Sequence, residues 1–378
     1  MKKLLIVICI AGIITSCNPR EIRYFDAVVA IDGSGDYVKV QDAIDAAPEG
    51  RTADSPWLIF VRNGMYEELV NVPSEKTSIY LIGEDRDNTV IHYKINVQGN
   101  PEREIGTQWY ENGIVAWEYS SNNPESHNYR KNGGVVVNVQ GDDFYAENIT
   151  FTNDWGVERQ RGPQALAMMT YGDRVSFYNC SFRSFQDTWK TARVDTFRAY
   201  AKDCFIEGAV DYIYGSGNYY FETCTLFCVR EGSVIVAPNH SEDAECGYVF
   251  ESCVIDGKGW ERTKFGRPWR NSPIAVFLNT TVLVGMEPEG WDNMGGLPRH
   301  FSEYNSRDGN GNPLDVSKRK NCYTSRNTGE TKCNEPLLTE EEAKRFNYSA
   351  VTNGKDNWNP RNIAGFSENY ELRIKNKE

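Results

Sequence analysis

Between residues 135 and 283 the chain repeats one short phrase of alternating polar and apolar positions. Glu147-Asn148-Ile149-Thr150-Phe151 is followed by Tyr178-Asn179-Cys180-Ser181-Phe182 and Lys202-Asp203-Cys204-Phe205-Ile206. Glu222-Thr223-Cys224-Thr225-Leu226, Glu251-Ser252-Cys253-Val254-Ile255 and Asn279-Thr280-Thr281-Val282-Leu283 complete the series. Each phrase sets a polar residue before a small or β-branched one, with an apolar residue two further on. That alternation is the period of a strand with one buried face. Successive phrases lie 20 to 31 residues apart. A constant strand phrase at irregular spacing fits coils joined by loops of variable length, the signature of a solenoid. The pattern predicts an all-β fold, a right-handed parallel β-helix. In such a stack Cys180, Cys204, Cys224 and Cys253 form one column, with neighbours about 4.8 Å apart. Two states of that column are open: a stack of small buried thiols, or a Cys204–Cys224 disulfide.

Outside the repeat, residues 28–31 and 58–61 read as further strands. Residues 40–47 read as a short amphipathic helix ended by Pro48, suited to cap the N-terminal end of the solenoid. After residue 300 the pattern dissolves. Residues 306–313 are a polar loop, and Thr339 with Glu342 has the spacing of a helix capping box. Lys2 and Lys3, the apolar residues 4–14 and Ile14-Thr15-Ser16-Cys17 resemble a bacterial lipoprotein signal, which implies lipidation of Cys17. The expected organisation is a signal over residues 1–16, a β-helix over 17–300, and a C-terminal extension over 301–378 that packs back on the coils.

Composition narrows the chemistry. The 378 residues carry 53 acidic against 41 basic side chains, a formal charge of −12, and are 40% hydrophobic. Such a chain is globular rather than disordered. It is also a poor binder of nucleic acid through phosphate neutralisation. No C-x-x-C occurs among the ten cysteines, which disfavours a zinc ribbon. There is no G-x-S-x-G, and His92, His127, His240 and His300 sit outside every motif, which disfavours a serine hydrolase.

Carboxylates offer the alternative. Asp187 and Asp211 are 24 residues apart, as are Cys180 and Cys204. One coil therefore separates the two aspartates at the same phase. Close carboxylates repel, so one keeps its proton while the other ionises, which supplies an acid and a nucleophile without histidine. Arg267 can hold an aspartate in a fixed fork. Gln164 and Gln186 carry amide donors for an oxyanion. Trp269 offers a flat face to a sugar ring.

Five motifs run in order: Gly64-Met65-Tyr66-Glu67-Glu68, Gln164-Ala165-Leu166, Gln186-Asp187-Thr188, Asp211-Tyr212-Ile213-Tyr214-Gly215 and Gly266-Arg267-Pro268-Trp269. Together they resemble the pectin methylesterase family of carbohydrate esterases. The likeness runs from Ala30-Ile31-Asp32-Gly33 to Gly290-Trp291 and resumes weakly at Leu338-Thr339 and Trp358-Asn359-Pro360. It implies a single-stranded, pectin-lyase-like β-helix that demethylates homogalacturonan. Asp211 would be the nucleophile and Asp187 the acid, then the base. Gln164 and Gln186 would stabilise the oxyanion, and Arg267 would orient Asp211. Trp269, Tyr214 and Lys190 would contact substrate.

Two departures from the family pattern stand out. Tyr212 and Tyr214 replace usual phenylalanines. Trp189 and Lys190 follow Thr188 where leucine and tyrosine are usual. A cation at position 190 could favour a neighbouring free carboxylate; its bland counterpart is a solvated lysine. Residues 109–130 are expected to overhang the substrate groove. No cofactor and no metal is implied, and no calcium-binding carboxylate cluster of the kind a pectate lyase uses is evident. The expected partner is methyl-esterified pectin, acted on by a monomer anchored by lipid in the bacterial envelope, with no nucleic acid. The competing readings are an esterase or thioesterase with another ester substrate, and a non-catalytic glycan-binding β-helix.

Overall fold

A computed structural model describes residues 21–97 and 134–374. Cys17 with the signal, and the segment 109–130 expected over the groove, lie outside the described residues. Three parallel sheets of ten, nine and seven strands run along the molecule. Each coil gives a strand to each sheet in turn. Val175–Tyr178 joins the ten-stranded sheet, Ser181–Arg183 the nine-stranded and Trp189–Lys190 the seven-stranded, before Arg198–Lys202 opens the next coil. The architecture is a right-handed parallel β-helix. Strands pair in register, Val175 opposite Ala199 and Phe177 opposite Ala201, so equivalent positions stack into columns.

The repeated phrase marks the corner between the ten- and nine-stranded sheets. Its polar residue (Asn148, Asn179, Asp203, Thr223, Ser252, Asn279) takes a left-handed backbone, with φ between 47° and 57°. Asn and Asp tolerate that region best. Their side chains bond from coil to coil: Asn179 Nδ2 donates to Asn148 Oδ1 at 2.7 Å, and Thr223 Oγ1 to Asp203 Oδ1 at 2.5 Å. The next residue turns inward, which buries Cys180, Cys204, Cys224 and Cys253. All four are free thiols. The Cys204–Cys224 disulfide is thus corrected. In-register neighbours on parallel strands set their Cβ atoms side by side at about 4.8 Å, whereas a disulfide needs about 3.8 Å. The sulfurs turn to carbonyls instead, Cys224 Sγ lying 3.4 Å from Ala201 O. A disulfide does join Cys322 to Cys333, across the hairpin of Cys322–Thr324 and Thr331–Cys333. Inside the solenoid Phe221, Phe250 and Phe277 stack with centroids 4.5 and 4.4 Å apart.

The helix Val40–Asp45 buries Val40, Ala43 and Ile44 against the first coil. Glu68, from the first motif, accepts from Val40 N at 2.8 Å and Gln41 N at 3.0 Å and ties the helix to the coil. Tyr66 is buried and donates to Arg62 O at 2.8 Å, a structural role for that motif. At the other end the solenoid runs past the expected boundary at 300. His300–Tyr304 and Arg307–Asp308 are the last strands of their sheets. Arg307–Asp308 lies at the surface, whereas Ser302 and Glu303 of His300–Tyr304 are buried, Glu303 pairing with Arg319. The capping box of Thr339 and Glu342 is present. The tail then lies on the outer face of the ten-stranded sheet. Tyr348 meets Tyr200 edge-on at 5.6 Å, Arg198 Nη2 holds Asp356 Oδ2 at 2.8 Å, and Phe366 meets Tyr80 edge-on at 5.5 Å. Finally Glu371–Arg373 pairs in parallel with Ile22–Tyr24.

Candidate active site

The motif residues gather on the seven-stranded sheet. Val137, Met168, Trp189, Ile213 and Val236 stack in register and face the core. By strand alternation Lys190 and its register partner Tyr214 face outward. Gln164, Gln186, Asp187 and Asp211 sit where these strands begin. Ala165 N bonds Gln186 O at 3.2 Å, and Asp187 N bonds Val210 O at 3.0 Å, which sets the coils in step.

Both aspartates have left-handed backbones, φ 64° at Asp187 and 50° at Asp211. At Asp211 the register shifts between Val210 and Ile213, so two residues oppose one on the next coil. Such a bulge re-aims a side chain and stores local strain. It lets Asp211 and Tyr214 face outward while Tyr212 and Ile213 are fully buried. Arg267 stands two coils on, fixed by its N–H to Val236 O at 2.9 Å. Its Nε donates to Asp211 Oδ1 at 2.8 Å and its Nη2 to Oδ2 at 2.6 Å.

This asymmetry separates the two carboxyls. Burial pushes Asp187 well above the usual carboxylate range, and the neighbouring charge of Asp211 adds to it. Burial also raises Asp211, but there the Arg267 hydrogen bonds and charge oppose it. Asp187 is therefore the group that keeps its proton and Asp211 the one that ionises first. Tyr214 lies beside Asp187: burial and then the Asp187 charge push its hydroxyl well above the usual phenol range. Tyr214 thus faces the acid itself, a contact that the expected role against sugar did not contain.

Lys190 is only 7% exposed, so the solvated-lysine reading fails. Burial, then the charge of Arg193, pushes its ammonium down to about 7. Trp269 is half-buried and meets Tyr214 edge-on at 5.6 Å. Tyr171, Arg193 and Arg270, beside these residues, carry no motif and were not legible in the sequence. A separate cleft of about 580 Å³, lined by Met65, Arg86, Thr150, Asp154 and Arg183, lies on the nine-stranded sheet and holds neither aspartate, neither glutamine and not Arg267.

An ionised aspartate held by arginine, a second carboxyl that keeps its proton, and amides at the same strand ends can perform acyl transfer. Comparison with known proteins gives the lineage. A model of the pectinesterase family matches residues 26–108 and 110–335. Pectinesterase 31 of Arabidopsis thaliana is 34% identical over 268 residues, 71% of this chain and 76% of its own. The pectinesterase of Petunia integrifolia is 27% identical over 350 residues, 88% of this chain and 81% of its own. Among solved structures, pectin methylesterase PemA from Erwinia chrysanthemi superposes with a TM-score of 0.67 at 24% identity, covering 89% of this chain and 98% of that one. The pectin methylesterase from carrot gives 0.65 at 23%, covering 86% and 92%. The structural likeness fixes the fold, and the sequence match over both ends of the solenoid fixes the lineage: the chain belongs to the pectinesterase family.

Proposed function

We propose that this protein hydrolyses the methyl esters of homogalacturonan to free galacturonate carboxylates and methanol. The observation that carries the reading is the Asp187–Asp211 pair, divided by the Arg267 fork, on the β-helix of a pectinesterase-family chain. Asp211 attacks the ester carbonyl carbon, and the Gln164 and Gln186 amides stabilise the tetrahedral oxyanion. As the intermediate collapses, the C–OCH₃ bond breaks and Asp187 gives its proton to the departing methoxide. An acyl–Asp211 anhydride remains. Asp187, now ionised, takes a proton from water, whose oxygen attacks the uronate acyl carbon and frees both carboxylates. Arg267 orients Asp211, and Trp269 lies against the sugar.

The reading extends to an exported monomer held in the bacterial envelope by lipid on Cys17. The Cys322–Cys333 disulfide supports an oxidising compartment. Methanol release from highly methylated pectin tests the reaction. Release is expected to survive a chelator and to fall about a thousandfold or more in Asp211→Asn. Release that persists in that variant overturns the assignment of the nucleophile. Carbohydrate binding without any release favours a non-catalytic module.

A further inference from the structure

The reaction above leaves the chemistry of Lys190 unused. Its Nζ lies 5.6 Å from the centroid of the Tyr214 ring and 5.9 Å from that of Tyr171. Among the described residues no carboxylate lies within ion-pair distance of it. Asp187 attracts it, while Arg193 and Arg270 repel it. Arg193 and Arg270 are exposed, each over an aromatic face: Arg193 at 4.4 Å from the Tyr171 centroid, Arg270 at 4.7 Å from that of Trp269. Trp269 in turn meets Tyr214. Three cations and three rings thus crowd beside the aspartate pair, on a chain whose net charge is −12. Asp187 holds its proton in the resting site, so it gives Lys190 no full counter-charge. A buried ammonium without an anion is costly, and an incoming carboxylate would relieve that cost. A neutral methyl ester would not. The rings offer flat faces to sugar C–H groups at the same place.

We propose that Lys190, with Arg193 and Arg270 at its rim, forms a subsite for the free carboxylate of a uronate neighbouring the ester under attack. The enzyme then prefers esters at the edge of an already de-esterified stretch. This rests on the pectin reading and deepens it.

The test compares kcat/KM on two uronate oligosaccharides of equal length. One is fully methylated, and the other has free acids flanking a single methyl ester. The wild type is expected to favour the acid-flanked substrate by about tenfold, as for one close charge pair. Lys190→Met should abolish that preference, mainly through KM. Arg193→Gln with Arg270→Gln, both on the surface, should reduce it several-fold. A wild type without preference overturns the subsite. So does an equal fall on both substrates in Lys190→Met, accompanied by a moved pH profile, which would make Lys190 a positioning residue for Asp187. Should Lys190→Met not fold, the rim pair decides: an unaltered ratio there overturns the proposal. Failure of the pectin reading is seen separately, as no methanol from either substrate. Calorimetric binding of a de-esterified hexamer to Asp211→Asn reads the subsite without turnover, and affinity that Lys190→Met leaves intact counts against it.

Discussion

For a single side chain, the chemistry turns on one difference: the guanidinium of Arg267 grips Asp211 and not Asp187. The proposed mechanism needs Asp211 ionised and Asp187 protonated. The rate should therefore fall toward acid as Asp211 takes up its proton, and toward alkali as Asp187 loses its own. Arg267→Lys keeps a charge but loses the fork. The Asp211 carboxylate is then less stabilised and its pKa rises. The acid limb of the kcat/KM profile should move to higher pH, with the alkaline limb shifted less. A fixed acid limb would remove Arg267 from this role. Asp187 and Asp211 were legible because their spacing shares the phase of the cysteine column, and Arg267 because it stands in the motif Gly266-Arg267-Pro268-Trp269. The left-handed backbones were not legible, nor was the approach of Tyr214 to Asp187. At Asp211 the backbone follows a bulge that no residue type announces. The burial of Lys190 was equally hidden, because Tyr171, which helps cover it, comes from the preceding coil.

Among elements, the corner between the ten- and nine-stranded sheets does most to define each coil. Its left-handed position is filled by Asn, Asp or Ser in every repeated phrase except one, where Thr223 has φ 52°. A β-branched residue is ill suited there. Thr223→Asn should keep the bond to Asp203 and relieve the backbone, raising stability by about 1 kcal/mol. The measurement is the urea midpoint at unchanged m-value. A lower midpoint would mean that the Thr223 hydroxyl bond outweighs the strain. This corner explains why the repeat could be read at all, since a polar turn residue followed by a small buried one recurs in each coil. It also decides between the two states left open for Cys204 and Cys224: the in-register stack keeps them as thiols. The strand Arg307–Asp308 escaped notice because at the last coil its polar side chains meet solvent.

As a whole the molecule is close to one-dimensional, so its ends and its uncovered flanks decide whether copies associate. Val40–Asp45 closes the N-terminal end, with Ile44 fully buried and Val38 about half exposed at 49%. Ile44→Asp should bare the first coil and cause concentration-dependent association by light scattering. Val38→Asp should not. Association in neither variant would show that the helix is dispensable as a cap. The helix was legible from its apolar spacing. The course of the tail was not, because Tyr348 and Phe366 pack on strands more than a hundred residues away in sequence. Because Ile22–Tyr24 pairs with Glu371–Arg373, the two ends of the described chain lie side by side. The described residues thus come back to their own start. A short linker there, with new termini opened in the exposed turn at residues 309–311, would leave every coil intact. Such a circular permutant would keep Asp187 above Asp211, because adjacent coils and not chain ends set their relation.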